Sequence, residues 1–368
     1  MRSFFVANLP EKPFKSIPEQ LEILRRRNVK ITDRSATVLI LQKYGYYQIV
    51  NGYSEQFEVA DNSKLTEKTY QTGTTFEDIY IQFLIDRFFS QMIISDIFNV
   101  EQKLKTVLGY VIAKNFGVKH QLTNDKNRDS CALISQGHSA VLYPTSYLDK
   151  RYYDISNHSY RNVSIMFDEI EKTNKNPLKE YRENRSHIPP WILFGQTDFG
   201  KLNRYFQVLK VETKLEVVNQ FMSTTKIDLS KESLIFKKFY SYLELTREFR
   251  NAFAHSSRFV ASEFPNLSLT KKIRNETHTS ELFINSEYKS GVGKGDLFSL
   301  LVILTIFSDD RLSAKSRVEY YENSLNQYFK GLGQAHMDIT KAKQAFDLSS
   351  GLPTNYAFRL KRLADNIF

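Results

Sequence analysis

The chain has 368 residues, 41% of them apolar, enough to bury a full core as one large domain or two. Lys and Arg number 51 against 41 Asp and Glu, a net charge of +10 and a pI near 9.3, which favours polyanionic partners such as nucleic acid or an acidic membrane surface. The one cysteine, Cys131, excludes an internal disulfide and lacks the companions of a thiolate metal site; it reads as a small semi-buried residue of a protein in the reducing cytoplasm. Neither a GxxxxGK[ST] nor a GxGxxG loop occurs, which argues against P-loop nucleotide hydrolysis. The apolar run within residues 1–10 is too short for a signal peptide.

In chain order, Ser16 with Pro18 and Glu19 has the spacing of a capping box. The helix it opens turns Leu21 and Leu24 inward and ends in Arg25, Arg26 and Arg27, which are either a solvated helix end suited to the dipole or an RNA contact. Asp33 opens a second helix that runs through Leu39, Ile40 and Leu41 into the aromatic stretch 44–53, and residues 58–75 read as a polar loop. From Phe76 to Phe116 apolar residues recur at threes and fours without a Pro, as one long spine or as two helices in tandem. Residues 117–190 are an irregular basic insertion, with polar clusters at 124–129 and 174–190 and a helix around 163–173.

Helical text resumes where Asp198 or Thr197 caps a helix carrying Leu202, Tyr205, Phe206 and Leu209. A short helix follows at 215–222, a central helix at about 231–260, a polar break at Phe264-Pro265-Asn266, and two helices near 295–308 and 313–331. The most apolar window, 297–307, is well short of a membrane span and reads as a core helix. Strand alternation is scarce throughout, so the expected fold class is all-α. Its expected parts are an N-terminal helical region (1–57), a helical core (74–345) and a C-terminal tail or helix (346–368).

The stretch from Glu244 to Arg258 concentrates the chemistry. Leu243, Phe249 and Phe253 form an apolar seam, while Arg247, Arg250, Asn251, His255 and Arg258 supply a cationic side. At helical spacing Asn251 and His255 share a face one turn apart, with Arg250 about a quarter turn round. Cutting RNA without a metal takes a base for the 2′-hydroxyl, an acid for the leaving 5′-oxygen and cations for the charge on the phosphorane. Histidine suits the first two tasks and the arginine fork the third; the competing reading of His255 is a helix-face residue bonded to a carbonyl or carboxylate. A second Arg-x4-His pair, Arg182 and His187, lacks apolar periodicity and an Asn after the arginine and is followed by Pro189-Pro190, so nothing holds its geometry. His120, His138, His158, His278 and His336 have no metal-ligand spacing, and no cofactor is expected.

Arg250-Asn251-x3-His255 resembles the signature of the HEPN superfamily of RNases. Three further sets of segments make the chain similar to the Abi_2 abortive-infection family, of the AbiD/AbiF kind. These are Lys12-Pro13-Phe14 and Ser16 to Gln20 with Tyr46-Tyr47 and Gly52-Tyr53; Ile85-Asp86-Arg87 with Val100-Glu101; and Ile188-Pro189-Pro190-Trp191 with Phe199-Gly200. The likeness runs from about residue 12 to 260, and Pro190 departs from it where a bulkier apolar residue is expected.

The resemblance implies a HEPN-type helical bundle with an N-terminal helical extension and a loop-rich insertion. It implies metal-independent endoribonuclease activity leaving a 2′,3′-cyclic phosphate, with Arg250, Asn251 and His255 as catalytic residues. Arg247 and Arg258 are expected to flank them, with Arg25, Arg26, Arg27, Lys271 and Lys272 as further RNA contacts. Glu101 either supports the histidine side or pairs with Lys103 or Lys105. One credible motif per chain implies a homodimer with two motifs facing across a two-fold axis. An RNase of this kind endangers its own host, so a phage-defence or toxin–antitoxin role implies an antitoxin, either a structured RNA or a protein. The alternative is a module of the same fold that binds RNA without cutting it.

Overall fold

The structure is a computed structural model, and it describes residues 13–59, 68–119, 132–136, 139–143, 147–154, 172–185, 187–255 and 258–368. Cys131, His120, His138, His158 and the cluster at 124–129 lie outside the described residues, as does the helix expected around 163–173 except for Lys172 and Thr173, which are not helical.

The helices are α1 (Ile17–Arg26), α2 (Arg34–Tyr44), α3 (Phe76–Phe116), α4 (Leu178–Asn184), α5 (Pro190–Gly195), α6 (Phe199–Val208), α7 (Val211–Phe221), α8 (Leu234–Ala254), α9 (Ile273–Glu276), α10 (Asn285–Ser290), α11 (Leu297–Ile306), α12 (Arg311–Gln334), α13 (Ile339–Ser350) and α14 (Tyr356–Ile367). A π-helix at Tyr47–Asn51 lies between α2 and α3. The fold class is all-α apart from one antiparallel pair, β1 (Ala132–Gln136) with β2 (Ser139–Tyr143), in register from Ala132↔Tyr143 to Gln136↔Ser139.

The described contacts gather the chain into two compact units: Met1–Arg87 with Tyr328–Ser349, and Phe88–Gln327 with Ser350–Phe368. The division falls inside α3 and α12, and α3 is one unbroken helix of 41 residues. The single-spine reading is therefore the correct one of the two.

In the first unit, Glu19 accepts from the backbone and hydroxyl of Ser16 at 2.7 and 2.8 Å, and Asp33 caps α2 by accepting from Ala36 at 2.9 Å. These bonds satisfy donors that a helix start leaves unpaired. Leu21, Leu24, Leu41, Ile49, Phe57, Tyr70, Phe76, Ile79 and Phe83 fill the core, joined by Ala345 of α13. Gln82 reaches the Ala342 carbonyl at 3.0 Å, which ties α13 to the start of α3.

The second unit is built round α8 and α11. All ten residues of α11 are buried, so it is a core helix as expected, and among the described residues no helix is long and apolar enough to cross a membrane. Phe206, Phe221, Phe239 and Phe307 meet at centroid distances of 5.0–5.3 Å, an aromatic floor beneath the first half of α8. The segment 346–368 contains α14, which packs on α11 and buries Ala357, Leu360, Leu363, Ala364 and Ile367. Its Arg359 is 2% exposed and forks onto Glu287 at 2.6 and 2.9 Å. Those two charges are 72 positions apart, so no local pattern announces the pair.

Candidate functional site

The central helix is anchored at its start by two residues. Ser233 accepts from the Phe236 amide at 3.0 Å. The Glu276 carboxylate, at the end of α9, accepts from the Leu234 amide and from the Ile235 amide, the latter at 2.9 Å. An external carboxylate at a helix N-terminus supplies the missing acceptors and suits the positive end of the dipole.

The middle of α8 is tied to α6. Asn203, fully buried, donates to Glu244 at 2.8 Å, and Glu244 accepts from Arg247 at 2.8 and 3.1 Å. Arg247 also pairs with Glu248. A Cβ at Gly200 would lie 3.2 Å from the Arg247 Cδ, so the glycine gives the arginine stem room to lie along α6. Burial works against the charge of Arg247, yet the Glu244 hydrogen bond and the charges of both carboxylates outweigh it and push its pKa up.

At the far end the helix stops earlier than expected. It runs over Leu234–Ala254 with His255 at the C-cap, φ −88° and ψ 8°, instead of continuing to about 260. The cause is tertiary: Phe259 and Phe264 turn back to pack edge-to-face on Phe249, each at 5.2 Å, which an extended helix would forbid. Arg258 therefore stands outside the helix, on the returning chain. The His255 amide still bonds the Asn251 carbonyl at 2.9 Å, so the expected one-turn stacking of these residues holds.

His255 is exposed and Arg250 and Asn251 half-buried. Among the described residues, the side chains of all three make no hydrogen bond or ion pair. Three groups able to donate to phosphate oxygens thus lie within two turns at the accessible end of a helix that is tethered at its start and in its middle.

The other sequence candidates make contacts of their own. Glu101 pairs with Lys105 at 2.9 Å, both side chains being mostly buried, and Lys103 instead binds Asp309 at 2.7 Å. Lys271 and Lys272 immediately precede α9, whose Glu276 caps the start of α8, about 30 Å along the axis from His255. Arg25, Arg26 and Arg27 belong to the first unit: Arg25 pairs with Glu22 at 2.8 Å and Arg27 reaches the Tyr46 hydroxyl at 3.5 Å. The second Arg-x4-His pair is broken by the end of α4 at Asn184, and Arg182 is turned onto the Thr173 carbonyl at 2.9 Å.

Sequence reasoning missed Asn203 and Glu276. Glu244 three residues before Arg247 is a readable helix pair, but neither remote partner leaves a local trace. Among the described residues, no group of three or more His, Cys, Asp or Glu is arranged to hold a metal ion.

The quoted motif segments have structural roles of their own. The Ile188 carbonyl accepts from the buried Tyr147 hydroxyl at 2.9 Å. Pro190 opens α5, a position whose missing amide costs nothing, which accounts for proline there. Behind Pro190, the Trp191 Cα would lie 3.1 Å from a Cβ at Gly109, so the glycine eases a close approach of α3 and α5.

An all-α protein with a basic, untethered helix end is a class with many members. This chain belongs to the family of Abi-like proteins, whose model matches residues 39–261, from within α2 to just beyond the Arg250–His255 end. Residues 12–20 and Lys271 and Lys272 fall outside that span. No curated protein and no solved structure matches the chain.

Proposed function

We propose that the protein is an endoribonuclease of the HEPN kind acting in abortive infection, and that Arg250, Asn251 and His255 form its catalytic site. The observation that carries this reading is their lack of side-chain partners on a helix whose neighbouring charged residues Glu244, Arg247 and Glu248 are tied to one another and to Asn203. Membership of the Abi-like family supports the defence role.

In the proposed reaction the 2′-hydroxyl attacks the adjacent phosphorus, its proton passing to a neutral His255. The P–O5′ bond breaks with a proton delivered to the leaving oxygen, and a 2′,3′-cyclic phosphate remains. Arg250 stabilises the charge on the non-bridging oxygens, and Asn251 orients the phosphate. Base and acid are both required, and each chain supplies one histidine here, so a second copy facing the first across a two-fold axis completes the site. No metal takes part in the reaction as written. The activity needs restraint in the host, and a structured RNA or a protein antitoxin supplies it.

The test is incubation of the full chain with labelled RNA in the presence of EDTA. Cleavage with cyclic-phosphate ends, lost by about 10²- to 10⁴-fold in His255→Ala, is the expected result. RNA left intact by the parent protein, or cut equally by His255→Ala, overturns it. Intact RNA that nevertheless stays bound would establish the non-cleaving module instead.

A further inference from the structure

Three of the motif segments, Tyr46-Tyr47, Gly52-Tyr53 and Asp86-Arg87, belong to a helix pair remote in sequence from Arg250 and His255. All lie in the first unit, and the fold brings them together. The buried Tyr53 hydroxyl donates to Asp86, which fixes that turn of α3. Arg87, one residue on, is exposed and lies 5.3 Å from the Phe83 ring centroid. Phe83 packs on Tyr44 at 4.9 Å and on Tyr80 at 5.9 Å, and Lys43 lies over the Tyr44 ring at 5.0 Å. The Lys43 hydrogen bond and charge, with the charge of Arg87, hold the Tyr44 phenol below its ordinary range. Two cations and two phenols therefore converge between the end of α2 and the first turns of α3. Three residues after Tyr44 in the chain, the π-helix carries Tyr47 at 75% exposure, and Arg27 adds a further cation at the Tyr46 hydroxyl.

We propose that this face, Lys43, Tyr44, Tyr47, Tyr80 and Arg87, is a docking site for single-stranded RNA. An exposed ring accepts the flat face of any base, and neighbouring cations and hydroxyls meet the phosphates, the combination that single-strand binders use. Duplex RNA has no unstacked base to offer an exposed ring, so a single strand is the form that fits. The inference rests on RNA being the partner of this protein and not on RNA being cut.

The test uses the full chain carrying His255→Ala, so that RNA stays intact, and reads anisotropy of a fluorescent 12-nucleotide single-stranded RNA over a range of salt. Tyr47→Ala, at an exposed position, is expected to weaken binding roughly 5- to 150-fold, the range of one base stack. Lys43→Gln with Arg87→Gln is expected to reduce the salt slope by about 1.4, two single-strand phosphate contacts. Circular dichroism and a thermal midpoint check that each variant is folded. The site is overturned if the parent binds no RNA, or if both variants keep parental affinity and slope while Arg250→Ala loses affinity. Equal binding of duplex RNA or of an oligo-glutamate of matched charge also overturns it. Absence of cleavage by the unmodified protein sinks the catalytic reading alone, because binding is read on uncut RNA.

Discussion

Arg247 and Arg250 lie three residues apart on α8 and are held in opposite ways. Arg247 is clasped by Glu244 and Glu248, with Glu244 in turn held by Asn203. Arg250 has no such partner among the described residues. A cation clasped by two carboxylates carries little net field outward, and detaching it for a ligand would strand a half-buried Glu244. The unclasped cation costs nothing to redirect. Charge on a helix is therefore not enough to mark a site; a cation whose fork is not already filled by carboxylates can take up a phosphate.

Removing each arginine in turn should produce opposite losses. Arg250→Ala should lower RNA cleavage by about 10²- to 10³-fold while leaving the denaturant midpoint unmoved, as surface substitutions do. Arg247→Ala should do the reverse: a loss of about 1–3 kcal/mol in unfolding free energy, with the rate per folded molecule changed only a few-fold. Equal activity losses in both variants would mean that the clasp opens for substrate.

Which of the two arginines would be which was only partly legible. The Arg250-Asn251-x3-His255 spacing, the seam at Phe249 and the i, i+3 pair of Glu244 and Arg247 all stand in the sequence because they are local. So do the Ser16–Glu19 and Asp33 caps and the long periodicity of α3. The stop at Ala254 was not legible, since it is imposed by Phe259 and Phe264 packing on Phe249. A helical reading carried straight through to Arg258 had no local reason to end. Arg359 with Glu287 and Asn203 with Glu244 are likewise pairs of distant residues, and periodicity does not record them. The unit boundary inside α3 falls in helical text with no change of composition.

A smaller effect is expected at the tethered start of α8. Glu276→Ala removes the acceptor of the Leu234 and Ile235 amides and should cost about 1 kcal/mol, as lost caps do, without altering cleavage by folded protein. Hydrogen exchange at those two amides reads the effect directly. Unchanged protection would mean that the first turn is held by the Ser233 cap and the aromatic floor of Phe239.

The smallest effect tests the one exception on the packed side of α8. Tyr242 is 1% exposed and its hydroxyl has no partner, while burial first, and the charge of Glu276 second, push the phenol well up. A raised phenol contributes stability that is whole below the ordinary tyrosine value of about 10 and is lost as pH climbs above it, because the unfolded chain ionises first. In Tyr242→Phe that alkaline loss should be shallower by up to about 1.4 kcal/mol per pH unit. At pH 7, shedding a hydroxyl with nothing to bond should change stability by less than about 1 kcal/mol, in the stabilising direction. Urea titrations at pH 7 and above pH 10 decide it. Superimposed alkaline limbs with a destabilised variant at pH 7 would show that the hydroxyl is paired, and the packed side of α8 would then hold no unpaired group to contrast with its paired residues.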